Sequence, residues 1–409
     1  MIGGGAAGLM AAGFAAGHGT QVLLFETNAK VGRKLYITGK GRCNVTNHCD
    51  VQQVLANIPV NPRFLYSAIG QFPPTEVMAF FERLGVPLKT ERGGRVFPVS
   101  DRAADIVDAL FSHVKKQGVK LIHACAERVL TQDGKVSGVL ADGKTYLADQ
   151  VILATGGASY PATGSTGDGY RFARQLGHTI IPPRPSLVPL VSPAGCAELM
   201  GLSLKNVALR VFEQNKKIYE DFGEMLFTHF GVSGPLILSA SAHMRHFGSR
   251  DYHLEIDLKP ALDEKTLDKR LLRDFETHKN SDLGNALGSL LPRKMIPAVI
   301  SQAGLNAHGK VHSLTKVQRQ ALLKTLKGFT VEISGARPIA EAIITTGGVS
   351  VKEVSPKTLE SKKVPGLYFA GEILDVDGYT GGFNLQIAWA TGRLAGRSAG
   401  NQTREGMIL

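Results

Sequence analysis

Cysteine is scarce: Cys43, Cys49, Cys125 and Cys196 are all that the 409 residues contain. None pairs at C-x-x-C spacing, so neither a zinc site nor a disulfide framework is implied at this length. A reduced, cytoplasmic setting is the expectation. No run of about eighteen apolar residues occurs, so no membrane span is read. The glycine-rich start lacks the basic flank of a signal peptide. P-loops, a Ser-His-Asp set, internal repeats and low-complexity tracts are also missing. His243, His246 and His253 have no acids at ligating spacing, so no metal is expected. Acidic residues are the scarcer sign: 35 Asp and Glu face 47 Lys and Arg, a net charge of +12. That balance favours a polyanionic partner.

What is present begins at once. Gly3, Gly5 and Gly8 fit G-x-G-x-x-G, with Ala6 and Ala7 between them. Ala11, Ala12, Ala15 and Ala16 follow at helical spacing, and residues 21–26 read as a strand ending in Glu26. In a dinucleotide-binding turn the first Gly bends the chain and the second admits the pyrophosphate. The third packs helix on strand, and the acid takes ribose hydroxyls. Only Met1 and Ile2 precede the turn, where a strand of about five or six residues is expected. The first strand is therefore expected to lack residues, whose return should raise cofactor retention.

Residues 31–47 form a loop dense in glycine, cations and hydrogen-bonding groups: Arg33, Lys34, Gly41, Arg42, Cys43 and Asn44. Such a loop suits a polar ligand. Helices are expected over 61–90 and 101–117. A meander follows over 119–124, 127–131, 136–140 and 144–147, with Asp-Gly turns. The apolar strand 150–155 runs into Gly156 and reads as buried and parallel. After the prolines at 182–185, short strands dominate 186–258 and helices 261–328. Strands resume at 339–351 and 366–370, and a helix is expected over 387–399, ending at Gly400. We therefore expect an α/β chain with a discontinuous nucleotide-binding domain, 1–185 and 339–409. The insert is a β subdomain, 186–258 (with 329–338 as a further strand), and a basic helical subdomain, 259–328.

Together the runs GGGAAGLMAA, VGRKLYITGKGRCNVTN, STGDGY, LFTHFGVSGP, TTGGVS and GLYFAGEILDVDGYTGGFNLQIAWATGRLAG resemble the BaiN/RdsA family of FAD-dependent oxidoreductases over essentially the whole chain. Lys40 departs from the pattern, standing where that family often has Gly. The resemblance implies a GR2-type FAD-binding Rossmann domain with a β-barrel-like insert and a small helical subdomain. It implies FAD as cofactor and NAD(P)H-driven reduction of C=C bonds, in steroid-like enones or in uridine of 23S ribosomal RNA.

On that footing the Gly3–Gly8 turn receives the pyrophosphate, and Glu26, beside Thr27, takes the ribose. Arg33 and Lys34 neutralise phosphate or hold the adenine side. The resemblance sets Val129 against the adenine through its backbone. Gly371, Glu372, Gly382, Asn384 and Leu385 approach the flavin, and Asn384 also reads as a helix N-cap. No second G-x-G-x-x-G occurs, so NADH or NADPH is expected to dock transiently in the substrate cleft. Candidate proton donors are Cys43, His229 and Tyr379. Cys43 lies in a cationic loop that would lower its pKa, or else is a small buried hydrophobe. His229 orients substrate or is a core histidine.

Charge favours RNA over an enone. Residues 259–328 carry 13 Lys and Arg against 6 Asp and Glu, and from 280 to 328 only Asp282 is acidic. Arg293, Lys294, Lys316, Arg319 and Lys324 are the expected phosphate-binding set, beside Lys310 and Lys327. The expected activity is dihydrouridine formation in large-subunit rRNA. The alternatives are reduction of a small enone and a flavin-containing RNA-binding or redox-sensing protein without turnover.

Overall fold

The short apolar strands from the two ends of the chain lie side by side. In the computed structural model, which describes residues 1–17, 19–194 and 196–405, Leu23–Glu26 pairs in parallel with Lys120–His123, and Val151–Leu153 with Leu367–Phe369. Ile2 bridges Phe25 on one side and Leu153 on the other, both in parallel. Its N–H donates to Ile152 O, and that of Gly3 to Phe25 O, each at 2.9 Å. Met1 and Ile2 thus hold the centre of the sheet. Val151–Leu153 is buried at every position, as a run flanked on both faces must be. Glycine turns follow three of these segments, at Gly3, Gly156 and Gly371, where φ is 100°, 74° and 79°. They gather at the carboxyl edge of the sheet, where α/β folds bind ligands.

Two helices cover this sheet. Ala6–Ala16 is buried at nine positions, because its small residues let Phe383–Glu405 approach closely. A Cβ on Gly392 would overlap the carbonyl of Ala7, and one on Gly396 that of Ala11. The last helix corrects the expected 387–399: it begins at Phe383 and passes through Gly400 to Glu405. Packing of that helix overrides the preference of an isolated glycine, about 1 kcal/mol. The meander forms as Ala126–Gln132, Lys135–Ala141 and Lys144–Leu147. Within 61–90 the helices are Tyr66–Gln71 and Pro74–Arg83, and Leu88–Thr90 is a strand.

The chain divides into two units, Met1–Ser186 with Pro338–Leu409, and Leu187–Arg337. The second has a seven-stranded sheet running Phe329–Ile333, Tyr252–Asp257, Ser203–Glu213, Lys216–Phe227, Gly231–Ser233, Leu190–Val191, Gly335–Ala336. Its first and last members are neighbours in sequence, parted by Ser334 alone, so the sheet curls until one bent strand joins its edges. Helices Glu264–Thr277, Met295–Gln302 and Lys316–Lys327 share one hydrophobic core with these strands, through Leu209, Leu254, Leu267 and Leu322. Pro235–Ser241 adds a helix to a stretch where short strands were expected to dominate.

Candidate active site

The carboxyl edge of the parallel sheet opens on a cavity of about 570 Å³, a usual size for a cofactor site. Its wall includes Gly3, Gly5, Ala6, Ala7, Glu26, Thr27, Arg33, Lys34, Gly156, Gly371, Glu372, Asn384 and Leu385. Gly5 caps the first helix without any side-chain hydrogen bond, and no acid occupies the first turn. The free N–H groups of that turn make an anion-binding end. Open space surrounds a Cβ placed on Gly5, whereas one on Gly8 would strike the carbonyl of Gly3. Gly8 is the packing glycine and stays behind the wall.

Glu26 and Glu372 occupy the wall with equal numbers of donors. Glu26 Oε2 accepts from Gly4 N at 2.9 Å, and Oε1 from Asn28 N at 2.8 Å and Asn28 Nδ2 at 2.7 Å. Arg33 donates to Asn28 Oδ1 at 2.6 Å, which braces that arrangement. Glu372 Oε1 accepts from Thr345 N at 2.8 Å and Ser159 Oγ at 3.1 Å, and Oε2 pairs with Lys34 Nζ at 2.6 Å. Lys34 also donates to Ser159 Oγ at 2.7 Å. Thr345 Oγ1 accepts from the N–H groups of Ala158 and Ser159. Thr155, also on the wall, has a buried hydroxyl with no partner among the described residues.

Several expected residues do not line the cavity. Gly41, Arg42, Cys43 and Asn44 are absent from its wall. Arg42 turns away to Glu91 and to Asp101, at 2.7 Å, and lies over Phe97. The Cys43 thiol is therefore not lowered by a cationic neighbour. It is fully buried, and burial pushes it up to about 12, against a weaker opposing bond from Thr38; of the two readings, the small buried hydrophobe stands. Val129 is buried inside its strand, and the meander reaches the cavity through Ala124, Cys125 and Ala126 instead. Gly382 is off the wall because it packs on the Thr46 backbone. Asn384 is the second residue of its helix rather than the cap. It staples the preceding loop, accepting from Gly378 N at 2.8 Å and donating to Gly378 O at 2.7 Å. Tyr379 belongs to that loop, half-buried, its N–H donating to Asn57 O. His229 is exposed in the second unit, beside Phe230, and is not a core histidine.

The one-sided charge of 280–328 is also partly cancelled. Arg319 pairs with Asp268 at 2.8 Å, Lys327 with Asp257 at 2.5 Å and Lys310 with Asp282 at 2.8 Å. Two of those acids come from outside the counted stretch. Lys294 donates to Met200 O at 3.0 Å. Among the described residues Arg293, Lys316 and Lys324 are exposed and make no ion pair.

Asn28, Ser159, Thr345 and Thr155 were missed by sequence reasoning. Asn28 is a turn-favouring residue type just after Glu26, which was the one local signal; the others are brought in by segments far apart in sequence and left none.

A model of the HI0933-like protein Rossmann domain matches residues 1–398. The 3-dehydro-bile acid delta(4,6)-reductase of Clostridium scindens is 33% identical over 404 residues, 98% of each chain. The ribosomal RNA dihydrouridine synthase of Escherichia coli is 32% identical over 399 residues, 96% of this chain and 95% of that one. A solved 3-ketosteroid delta1-dehydrogenase from Sterolibacterium denitrificans shares the fold, with a TM-score of 0.51, 14% identity and 98% of each chain covered. Among the described residues no helix is long and apolar enough to cross a membrane.

Proposed function

The chain belongs to the HI0933-like Rossmann-domain family, and from that premise we propose that its cavity holds FAD and that it reduces an activated C=C bond with NAD(P)H. One observation carries the cofactor: an uncapped helix N-terminus and the Glu26 carboxylate flank a single cavity. The first suits a pyrophosphate and the second a ribose. The orphaned Thr155 hydroxyl gives a polar ligand a further partner. We read the fold as GR2-type with a barrel-like insert, on the strength of the sheet closing through Ser334.

Bound FAD would supply the hydride for the β-carbon of the acceptor, C6 in uracil. The chain's own residues bind and orient. The turn holds the phosphates, Glu26 and Glu372 accept hydroxyls, and Asn384 fixes the loop before the last helix. That helix turns its positive end to the site, an effect of about 0.3–1 kcal/mol on a nearby anion. Tyr379 and His229 are the remaining candidates to deliver the proton to the α-carbon; Cys43, buried with a raised pKa, is set aside.

The substrate reading is uridine in large-subunit rRNA, with Arg293, Lys294, Lys316 and Lys324 toward the phosphates. It is supported by the net charge of +12 and by the Escherichia coli relative, whose name is ribosomal RNA dihydrouridine synthase. The bile acid reductase, 33% identical against 32% for that relative, supports the second reading, a small enone. The deciding experiment maps dihydrouridine in rRNA from a deletion strain. Loss of one dihydrouridine is expected, and rRNA that keeps every one rejects the RNA reading.

A further inference from the structure

Each of the two cavity carboxylates has accepted three hydrogen bonds, and in each case the open lone pair is on Oε2. An ionised carboxylate offers about four acceptor sites. Both oxygens therefore have little left to give, and each acid presents one acceptor to whatever fills the cavity. The donors differ in kind. Glu26 is held by three neutral N–H groups. Glu372 is held by an N–H, a hydroxyl and the Lys34 ammonium.

Lys34 is the residue whose role this geometry changes. A lysine in a cation-rich loop beside a phosphate-binding turn is expected to meet the phosphates. Here Nζ lies 2.6 Å from Glu372 Oε2 and 2.7 Å from Ser159 Oγ. Ser159 is fully buried and bonded to the same carboxylate, on Oε1. Three groups from segments 34, 159 and 345 thus converge on one acid, and the ammonium faces inward to it. Its neighbour Arg33 serves the other acid through Asn28. Successive residues on a helical turn point about 100° apart, which lets one turn brace two carboxylates.

We infer that Lys34 is a positioning residue that acts through Glu372 and does not contact the phosphates of the cofactor. It fixes the Oε2 lone pair of Glu372 toward a hydroxyl of the bound molecule. The cavity then selects a ligand with hydroxyl donors at both acids and an anion between them, as a dinucleotide carries. This inference rests on the FAD reading of the cavity.

The test measures FAD binding to apo-protein by flavin fluorescence, across a range of salt concentrations, for wild type, Lys34→Met, Glu372→Gln, the double variant and Lys34→Arg. Each of the first two single changes is expected to weaken FAD by roughly tenfold to a hundredfold, the worth of a charge-assisted hydrogen bond. The double variant should lose no more than Glu372→Gln alone, because both remove the same interaction. Lys34→Arg keeps a cation for the carboxylate and should stay within about threefold of wild type. The salt dependence of Lys34→Met should match wild type, since a phosphate contact would add a salt-sensitive attraction. Additive losses with a flattened salt dependence would place Lys34 on a phosphate and overturn the inference alone. Wild-type protein that takes up no FAD overturns the cofactor reading, and this inference with it. If Lys34→Met does not fold, Ser159→Ala tests the same carboxylate: loss of FAD that is non-additive with Glu372→Gln sustains the clamp, and unchanged affinity refutes it.

Discussion

The two units put their cations to opposite uses. In the first, Arg33 and Lys34 turn to a cavity and steady its two acids. In the second, Arg293, Lys316 and Lys324 stand exposed, while Arg319, Lys310 and Lys327 are tied to acids. The difference teaches how far a charge count can be trusted. Glu372 lies 338 positions from Lys34, and Asp268 lies 51 positions from Arg319. Neither partner is visible in a local window, so both sets of cations looked available and only part of the second is.

The strongest way to break the comparison is at its glycines. Gly8→Val forces a side chain into the Gly3 carbonyl and is expected to cost about 3 kcal/mol or more, with loss of FAD. Gly288→Ala in the second unit meets nothing within 4 Å and should stay within about 0.5 kcal/mol. Thermal unfolding with and without FAD checks both. If Gly8→Val melts like wild type, the turn is not the close-packed element described.

Next in size is the ribose end. Glu26→Ala frees Gly4 N and Asn28, so FAD should bind more weakly by about 2 kcal/mol in a flavin titration. An unchanged affinity would remove Glu26 from the cofactor site. The surface cations come third. Reversing Arg293, Lys316 or Lys324 should each lower the salt slope of RNA binding by about one and leave FAD affinity alone. Arg319→Ala should leave that slope unchanged and lower stability by at most ~1 kcal/mol, the range for a partly exposed pair. An equal slope change at Arg319 would mean that Asp268 does not hold it.

The smallest expected effect concerns acid. Burial alone would raise the Glu353 carboxyl, but bonds from Lys363 and Thr179 outweigh it and hold it at about 2, below its ordinary 4.5. A carboxyl depressed on folding stabilises fully above its unfolded pKa, and that stability is lost as pH falls toward the folded value. Wild-type Tm should therefore drop between pH 4.5 and 2 more steeply than that of Glu353→Gln. Parallel curves would refute the coupling.

Elements with a backbone cause were legible from the chain alone. Gly3 and Gly8 declare a turn because a side chain at either would strike backbone, Gly5 keeps its spacing between them, and Glu26 closes the motif at fixed distance. Strand 150–155 announced itself by continuous apolarity. Side-chain partners were not legible, because they depend on which strands meet. Arg42 and Cys43 are adjacent in sequence, yet one is spent on Glu91 and Asp101 while the other is sealed from solvent. The start of the last helix was missed for a related reason: Asn384 reads as a cap by type but bonds backward to Gly378.

The seating of the last helix on Ala7 and Ala11 has a consequence for synthesis. A ribosome releases the chain in order, so the first helix emerges long before the surface that covers it. Residues 187–337 are contiguous and have a core of their own, and domains fold as units while they emerge. The second unit is thus expected to be complete while the glycine turn still waits for its partner. A chain halted before Phe383 is expected to carry a folded second unit and a nucleotide turn that retains no flavin, which limited proteolysis and flavin absorbance of the truncated chain would check.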